Sequence, residues 1–205
     1  MTNDTTICYK NICDAEEFFT PYGFIKRDVP WLVSKEASDA TKPNEGKDLY
    51  VLDADSDLGF LPASGEQSFI EMMIEGTLSE GLYQCTTPCF RIEDAPDDLH
   101  RLSFMKTELI IYGINDSTIN LRWLLGICRD YFGQYFDGEI TIVLTEIGFD
   151  LVTSQGIELG SYGERRWSDP YGKEHTWIYG TGCAEPRLSQ AVKIYKDSKK
   201  ETFSR

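Results

Sequence analysis

Between Gly81 and Gly113 the chain alternates in steps of two, first outward and then back. Residues two apart on a strand share a face, so Arg91 and Glu93 project together, as do Phe104, Lys106 and Glu108 on the returning run. The segment between them, about Asp94 to Leu99, holds Pro96 and three Asp, which predicts a turn between antiparallel strands. The longest 3.6-residue period spans Ser117 to Phe136, with Ile119, Leu121, Leu124, Leu125, Ile127 and Cys128 on one side and Asp116 as its cap. Shorter helices are predicted near Asp14 to Phe19 and Glu66 to Leu78, and strands up to Val33, at Leu49 to Leu52, at Ile140 to Leu144, at Phe149 to Val152 and at Ile157 to Ser161. A final strand leads into an amphipathic helix over LSQAVKIYK, and 37–47 is a polar loop. Neighbouring strands bracketed by helices make an α+β fold with a mainly antiparallel sheet.

The long hairpin brings arginine, glutamate, lysine and an aromatic ring to one surface. Arginine offers a fork of donors for phosphate, and an aromatic ring offers a plate for a nucleobase. Arg and Glu two apart on a strand are more often a solvated pair, so the hairpin alone is weak evidence.

The order of what surrounds it is more specific. Phe90-Arg91-x-Glu93 and Phe104-x-Lys106-x-Glu108 resemble the second signature motif of class II aminoacyl-tRNA synthetases. TPCFR and the Phe104 run look most like the seryl branch, and the short loop is closer to the aspartyl branch. Gly180-Thr181-Gly182-Cys183-Ala184-Glu185-Pro186-Arg187 resembles the third motif, with Pro186 as a departure. Gly23 to Val33, with Pro30, is similar to the first. Ser64-Gly65-Glu66 resembles the loop that receives an amino group, although it equally suits a helix cap with an acid in the first turn. The likeness covers about residues 22 to 195, in family order.

That resemblance implies a synthetase-like catalytic core that uses ATP and Mg2+ to activate an amino acid or related carboxylate as an acyl-adenylate. It implies Arg91 on the α-phosphate and carboxylate, Phe104 stacked on adenine opposite Arg187, and Glu93 at the adenine amino group. His100 or Arg101 would reach the outer phosphates, and Glu158 would hold the metal. Lys106, Glu108 and Arg165 would line the substrate side, with Ser64 and Glu66 at the amino group. It also implies a homodimer with Pro30 at its interface.

Composition adjusts the picture in one respect. The 205 residues are 41% hydrophobic, enough for a sizeable core, with no linker or repeat that divides them, so residues 1–205 read as one catalytic domain without a separate tRNA-binding domain. No apolar run is long enough to span a membrane and Asp4 interrupts any leader, so a cytoplasmic protein is expected. The six Cys show no CxxC pairing, and the two His complete no zinc cluster; reduced, packed thiols are expected. The net charge, however, is −14, from 34 acidic and 20 basic residues, and the hairpin loop carries Glu93, Asp94, Asp97 and Asp98. Such a surface repels nucleic acid phosphates. The acceptor is therefore expected to be a small molecule or carrier protein, with tRNA disfavoured for the isolated chain. The alternatives are a catalytically silent paralogue with a regulatory or subunit role, and a minimal tRNA-charging enzyme that needs a partner.

Overall fold

The computed structural model describes residues 6–41, 50–53, 55–113 and 117–203. Its centre is a seven-stranded sheet, order β1-β2-β3-β7-β6-β5-β4. The strands are β1 (Ile25–Lys26), β2 (Gly81–Phe90), β3 (Ser103–Tyr112), β4 (Ile140–Leu144), β5 (Phe149–Thr153), β6 (Glu158–Ser168) and β7 (Glu174–Glu185). Every pairing is antiparallel except β1 with β2. The helices are α1 (Tyr9–Phe19), α2 (Lys35–Asp39), α3 (Gly65–Ile74), α4 (Ser117–Gly133) and α5 (Arg187–Phe203). The α+β class with a mainly antiparallel sheet is as the pattern predicts.

Alternation on the strands builds two cores, one on each face. Leu109 and Ile111 of β3 and Ile178 of β7 face α1, α4 and α5, where Phe19, Leu124, Phe132 and Leu188 are buried against them. Ile110 and Tyr112 of β3, with Trp177 and Tyr179 of β7, face α3 and α2, meeting Phe69, Ile70 and Met73. The first layer covers both halves of the sheet. The second layer covers the β1-β2-β3 side, and the open remainder holds the site. No helix among the described residues is long and apolar enough to cross a membrane.

Several boundaries differ from the sequence reading. The strand expected up to Val33 is only β1, and Val33 makes an isolated bridge to Phe60. Arg27, Asp28 and Pro30 interrupt the run, and Pro30 has no N–H for a ladder. The strand expected at Leu49 to Leu52 is a single bridge at Val51, with Leu49 outside the described residues. Residues 37–39 of the expected loop belong to α2, whose cap is the Ser34 hydroxyl accepting from Ala37 N; residues 42–47, like the capping position Asp116, lie outside the described set. The first helix begins earlier than expected, at Tyr9, and the Glu66 to Leu78 helix stops at Ile74. The long helix closes at Gly133 rather than Phe136.

Candidate active site

One cavity of about 370 Å³ opens on the α3 face of the sheet. Every residue nominated from sequence lines it except Glu108: Ser64 and Glu66, Arg91 and Glu93, His100 and Arg101, Phe104 and Lys106, Glu158, Arg165 and Arg187. They come from the start of α3, both arms of the β2–β3 hairpin, β6, and the junction of β7 with α5.

The β2–β3 hairpin is paired over its full length, from Gly81↔Tyr112 to Phe90↔Ser103. β2 ends at Phe90, so Arg91 and Glu93 stand past the strand rather than on it, and the connection is longer than the expected Asp94 to Leu99 turn. Arg91 is fixed there. Its Nε donates to Ala63 O at 3.1 Å, and its guanidinium lies 5.0 Å from the centre of the Phe104 ring. One side of Phe104 is thus covered by Arg91.

In the loop, Asp97 accepts from Leu99 N, His100 N and the His100 ring, and these donors hold its carboxyl down to about 2. Arg101 pairs with Asp98 at 2.9 Å. Both residues nominated for the outer phosphates therefore rest on acids of their own loop. A phosphate would have to compete for them.

At the opposite wall, the stretch from Gly180 to Glu185 is the end of β7, and α5 begins at Arg187. A Cβ on Gly180 would lie 2.6 Å from the Tyr162 ring and 2.9 Å from Leu124, and one on Gly182 would lie 3.0 Å from Phe19. These glycines leave room for Tyr162 of β6, Leu124 of α4 and Phe19 of α1 on the other face. The register shifts between Thr107 and Glu108, which pair with Cys183 and Thr181, so Gly182 is an extra residue. That bulge puts Thr181 and Ala184 both on the cavity side. Arg187 donates from Nη1 to Glu158 Oε1 at 3.2 Å and from Nε to Leu99 O at 3.3 Å.

The deep end is a set of matched charges. Ser64 caps α3 by accepting from Glu66 N at 3.3 Å, so the capping role and the cavity position hold together. Its hydroxyl also donates to Glu108 Oε2, and Lys106 Nζ pairs with the same oxygen at 2.8 Å. Glu108 itself is 0% exposed and lies behind the wall, which corrects its expected place on the substrate side. Alternation gave the correct face but not the depth. Glu66 Oε1 accepts from Arg165 Nε at 3.0 Å and from Trp177 Nε1 at 2.7 Å. Burial raises the Glu66 carboxyl above its usual range, while Arg165 opposes the shift. Trp177, Tyr179 and Thr181 were missed by the sequence reading; a buried indole N–H needs an acceptor, but nothing local names Glu66 as that acceptor.

The cysteines are free, and Cys85, Cys89, Cys128 and Cys183 are buried. Among the described residues no group of three or more His, Cys, Asp or Glu could hold a metal. Magnesium bound to a nucleotide takes most of its ligands from phosphates and water and one or two carboxylates from the protein. Glu158 fits that demand, and Asp150 on β5 stands close enough that burial and the Glu158 charge raise its carboxyl. Two neighbouring carboxylates that repel each other suit a cation brought by phosphate.

No protein-family model matches the chain, and no curated protein matches it in sequence. Solved structures do. The cytoplasmic serine-tRNA ligase of Naegleria fowleri, in complex with AMP, superposes with a TM-score of 0.67 at 18% identity over 87% of this chain. The seryl-tRNA synthetase of Pyrococcus horikoshii, complexed with ATP, gives 0.65 at 17% identity over 88%. The fold is that of the class II synthetase catalytic core. The chain spans less than half of those proteins, 46% and 48% of their lengths.

Proposed function

We propose that this protein uses ATP to activate an amino acid as an acyl-adenylate and passes it to an acceptor other than tRNA. The observation that supports this best is the convergence of the nucleotide-side and substrate-side residues on one cavity of a synthetase-like core. In the reaction a substrate carboxylate oxygen attacks the α-phosphorus of ATP, and the bond to the bridging oxygen breaks to release pyrophosphate. No proton need be removed from a carboxylate, so positioning and charge neutralisation carry the chemistry.

Arg91, held by Ala63 O and the Phe104 ring, stands ready to neutralise the α-phosphate and the incoming carboxylate. The other side of Phe104 is assigned to adenine, with Arg187 opposite and Glu93 at the amino group. His100 and Arg101 exchange their loop acids for the outer phosphates. Magnesium, held by Glu158 with Asp150 beside it, would supply charge neutralisation on the phosphates. Ser64 and the unengaged side of Glu66 receive the amino group, and Lys106 faces the substrate. Exchange of labelled pyrophosphate into ATP across a panel of amino acids tests this reading. Dependence on one amino acid is expected; ATP binding without exchange under any of them would leave a silent paralogue.

The acceptor assignment is supported by surface charge. Asp94, Asp97 and Asp98 are exposed at the mouth of the cavity. The basic residues of α5 lie on the helix that packs against the opposite face of the sheet, with Lys199 paired to Glu139 and Lys200 to Asp197. Bulk tRNA should not shift in a gel at low salt, where attraction is least screened. Tight binding there would move the protein to the tRNA-charging class.

We assign a homodimer to the segment around Pro30, because Ile25 and Trp31 flank it and are each 58% exposed. A paired two-fold contact would cover them. Light scattering at micromolar concentration should give twice the chain mass, and Trp31→Asp should give the monomer.

A further inference from the structure

The two edges of the sheet are built differently. At one, β1 is only Ile25–Lys26 and is followed by Arg27, Asp28 and Pro30, which blunt it against strand addition. At the other, β4 reads ITIVL, with no charge, proline or bulge. β5 takes up one side of its backbone and no described strand pairs with the other, so alternate N–H and C=O groups face outward. Its side chains are apolar on both faces. Val143 pairs with Asp150, which pairs with Ser161 of the cavity, so Val143 continues the cavity face. Ile142 and Leu144 stand on the opposite face beside Leu151 and Phe149. All three are exposed, Leu144 at 74%, and the run continues to Ile147, which is 67% exposed at the cavity wall. This is one strip, unlike the scattered hydrophobics of an ordinary surface.

Charge indicates what covers it. A second copy paired antiparallel about Ile142 would set Glu139 of one chain opposite Thr145 of the other, beside its Glu146, and would do so at both ends. Like charges would then meet between chains that carry −14 apiece. Lys199 balances Glu139, but no ion pair joins Glu146 to a described residue, and Asp150 stands beside Val143 near the same end of the strand. A strand bearing lysine or arginine meets those acids with the opposite sign.

We infer that β4 is the docking edge for an extended segment of a partner protein in which apolar and basic residues alternate. The apolar residues of the added strand lie beside Ile142 and Leu144, and the basic ones lie on the cavity face toward Asp150. Ile147 brings the strip to the cavity, so a bound partner stands at its mouth. The inference goes beyond the adenylation reading and does not rest on it. The test is to titrate the full chain with two end-capped, fluorescein-labelled peptides, Lys-Val-Lys-Val-Lys-Val and Glu-Val-Glu-Val-Glu-Val, and to read anisotropy. The basic peptide should bind about 10-fold tighter or more in low salt, and the gap should narrow as salt rises. Hydrogen exchange should slow within residues 140–144 when it binds, because outward N–H groups gain acceptors. Nonspecific attraction to the acidic surface would leave those amides unchanged. Val143→Lys puts a like charge on the edge and should weaken the basic peptide by about 10-fold, with circular dichroism unchanged. If that variant does not fold, the wild-type exchange pattern decides. Equal or tighter binding of the acidic peptide, binding of neither, or no protection within 140–144 overturns the inference. So does self-association that Val143→Lys abolishes, which would make a second copy the occupant. The titration contains neither ATP nor amino acid, so its failure and the failure of pyrophosphate exchange are separate results.

Discussion

Glu108→Ala should destabilise the protein by about 3–5 kcal/mol, because it removes one partner of a buried ion pair and strands the other. Lys106 is itself buried, and its Nζ has Glu108 at 2.8 Å and Ser64 Oγ at only 3.5 Å. Without the carboxylate the ammonium keeps one long contact, and the Ser64 hydroxyl loses its acceptor. Urea denaturation should show the loss in midpoint, and a chain of this size should melt roughly 6–20 °C lower, at about 2–4 °C per kcal/mol. Lys106→Met with Glu108→Leu should recover much of it, since no charge is then stranded. Strict additivity of the two single losses would show that the pair is not coupled.

The same pair marks how far the sequence could be read. Period-two alternation placed Phe104, Lys106 and Glu108 on one face, and they are on one face. It could not say that α3 seals the last of them, because that depends on Gly65 passing close to β3. A Cβ on Gly65 would lie 2.9 Å from Glu108 Cβ. The pairing of Glu66 with Arg165 spans 99 positions and was equally illegible. So was the use of Gly180 and Gly182, whose neighbours Tyr162, Leu124 and Phe19 come from other elements. β1 was overread for a local reason: apolar residues around Ile25 and Val33 suggest a strand, but the polar run and Pro30 between them break its ladder. Asp150 carried a faint signal, as the polar position in Phe149 to Val152, yet only the β5–β6 pairing puts it opposite Ser161 beside Glu158. Long strands with strict alternation were legible; contacts made between layers were not.

Arg187→Ala should weaken ATP binding by about 1.5–3 kcal/mol, roughly 10- to 150-fold, as one charge-assisted phosphate contact is lost. Arg91→Ala should lose a similar amount, since its Ala63 and Phe104 contacts already hold the guanidinium in place and the variant gives up that preorganisation. The two differ in what they leave behind. Among the described residues no ion pair joins Arg91 to an acid, whereas Arg187 covers Glu158 at 3.2 Å. Removing Arg187 therefore bares a carboxylate that repels the phosphates. Glu158→Gln on that background should restore part of the affinity in metal-free buffer, where the carboxylate only repels. With magnesium present the same substitution should weaken binding instead, because the acid then serves the cation. Calorimetry of ATP binding with and without magnesium reads both signs. If Glu158→Gln acts in the same direction in the two buffers, the acid does not hold the metal, and if neither arginine variant binds ATP more weakly than wild type, the cavity does not hold the nucleotide's phosphates.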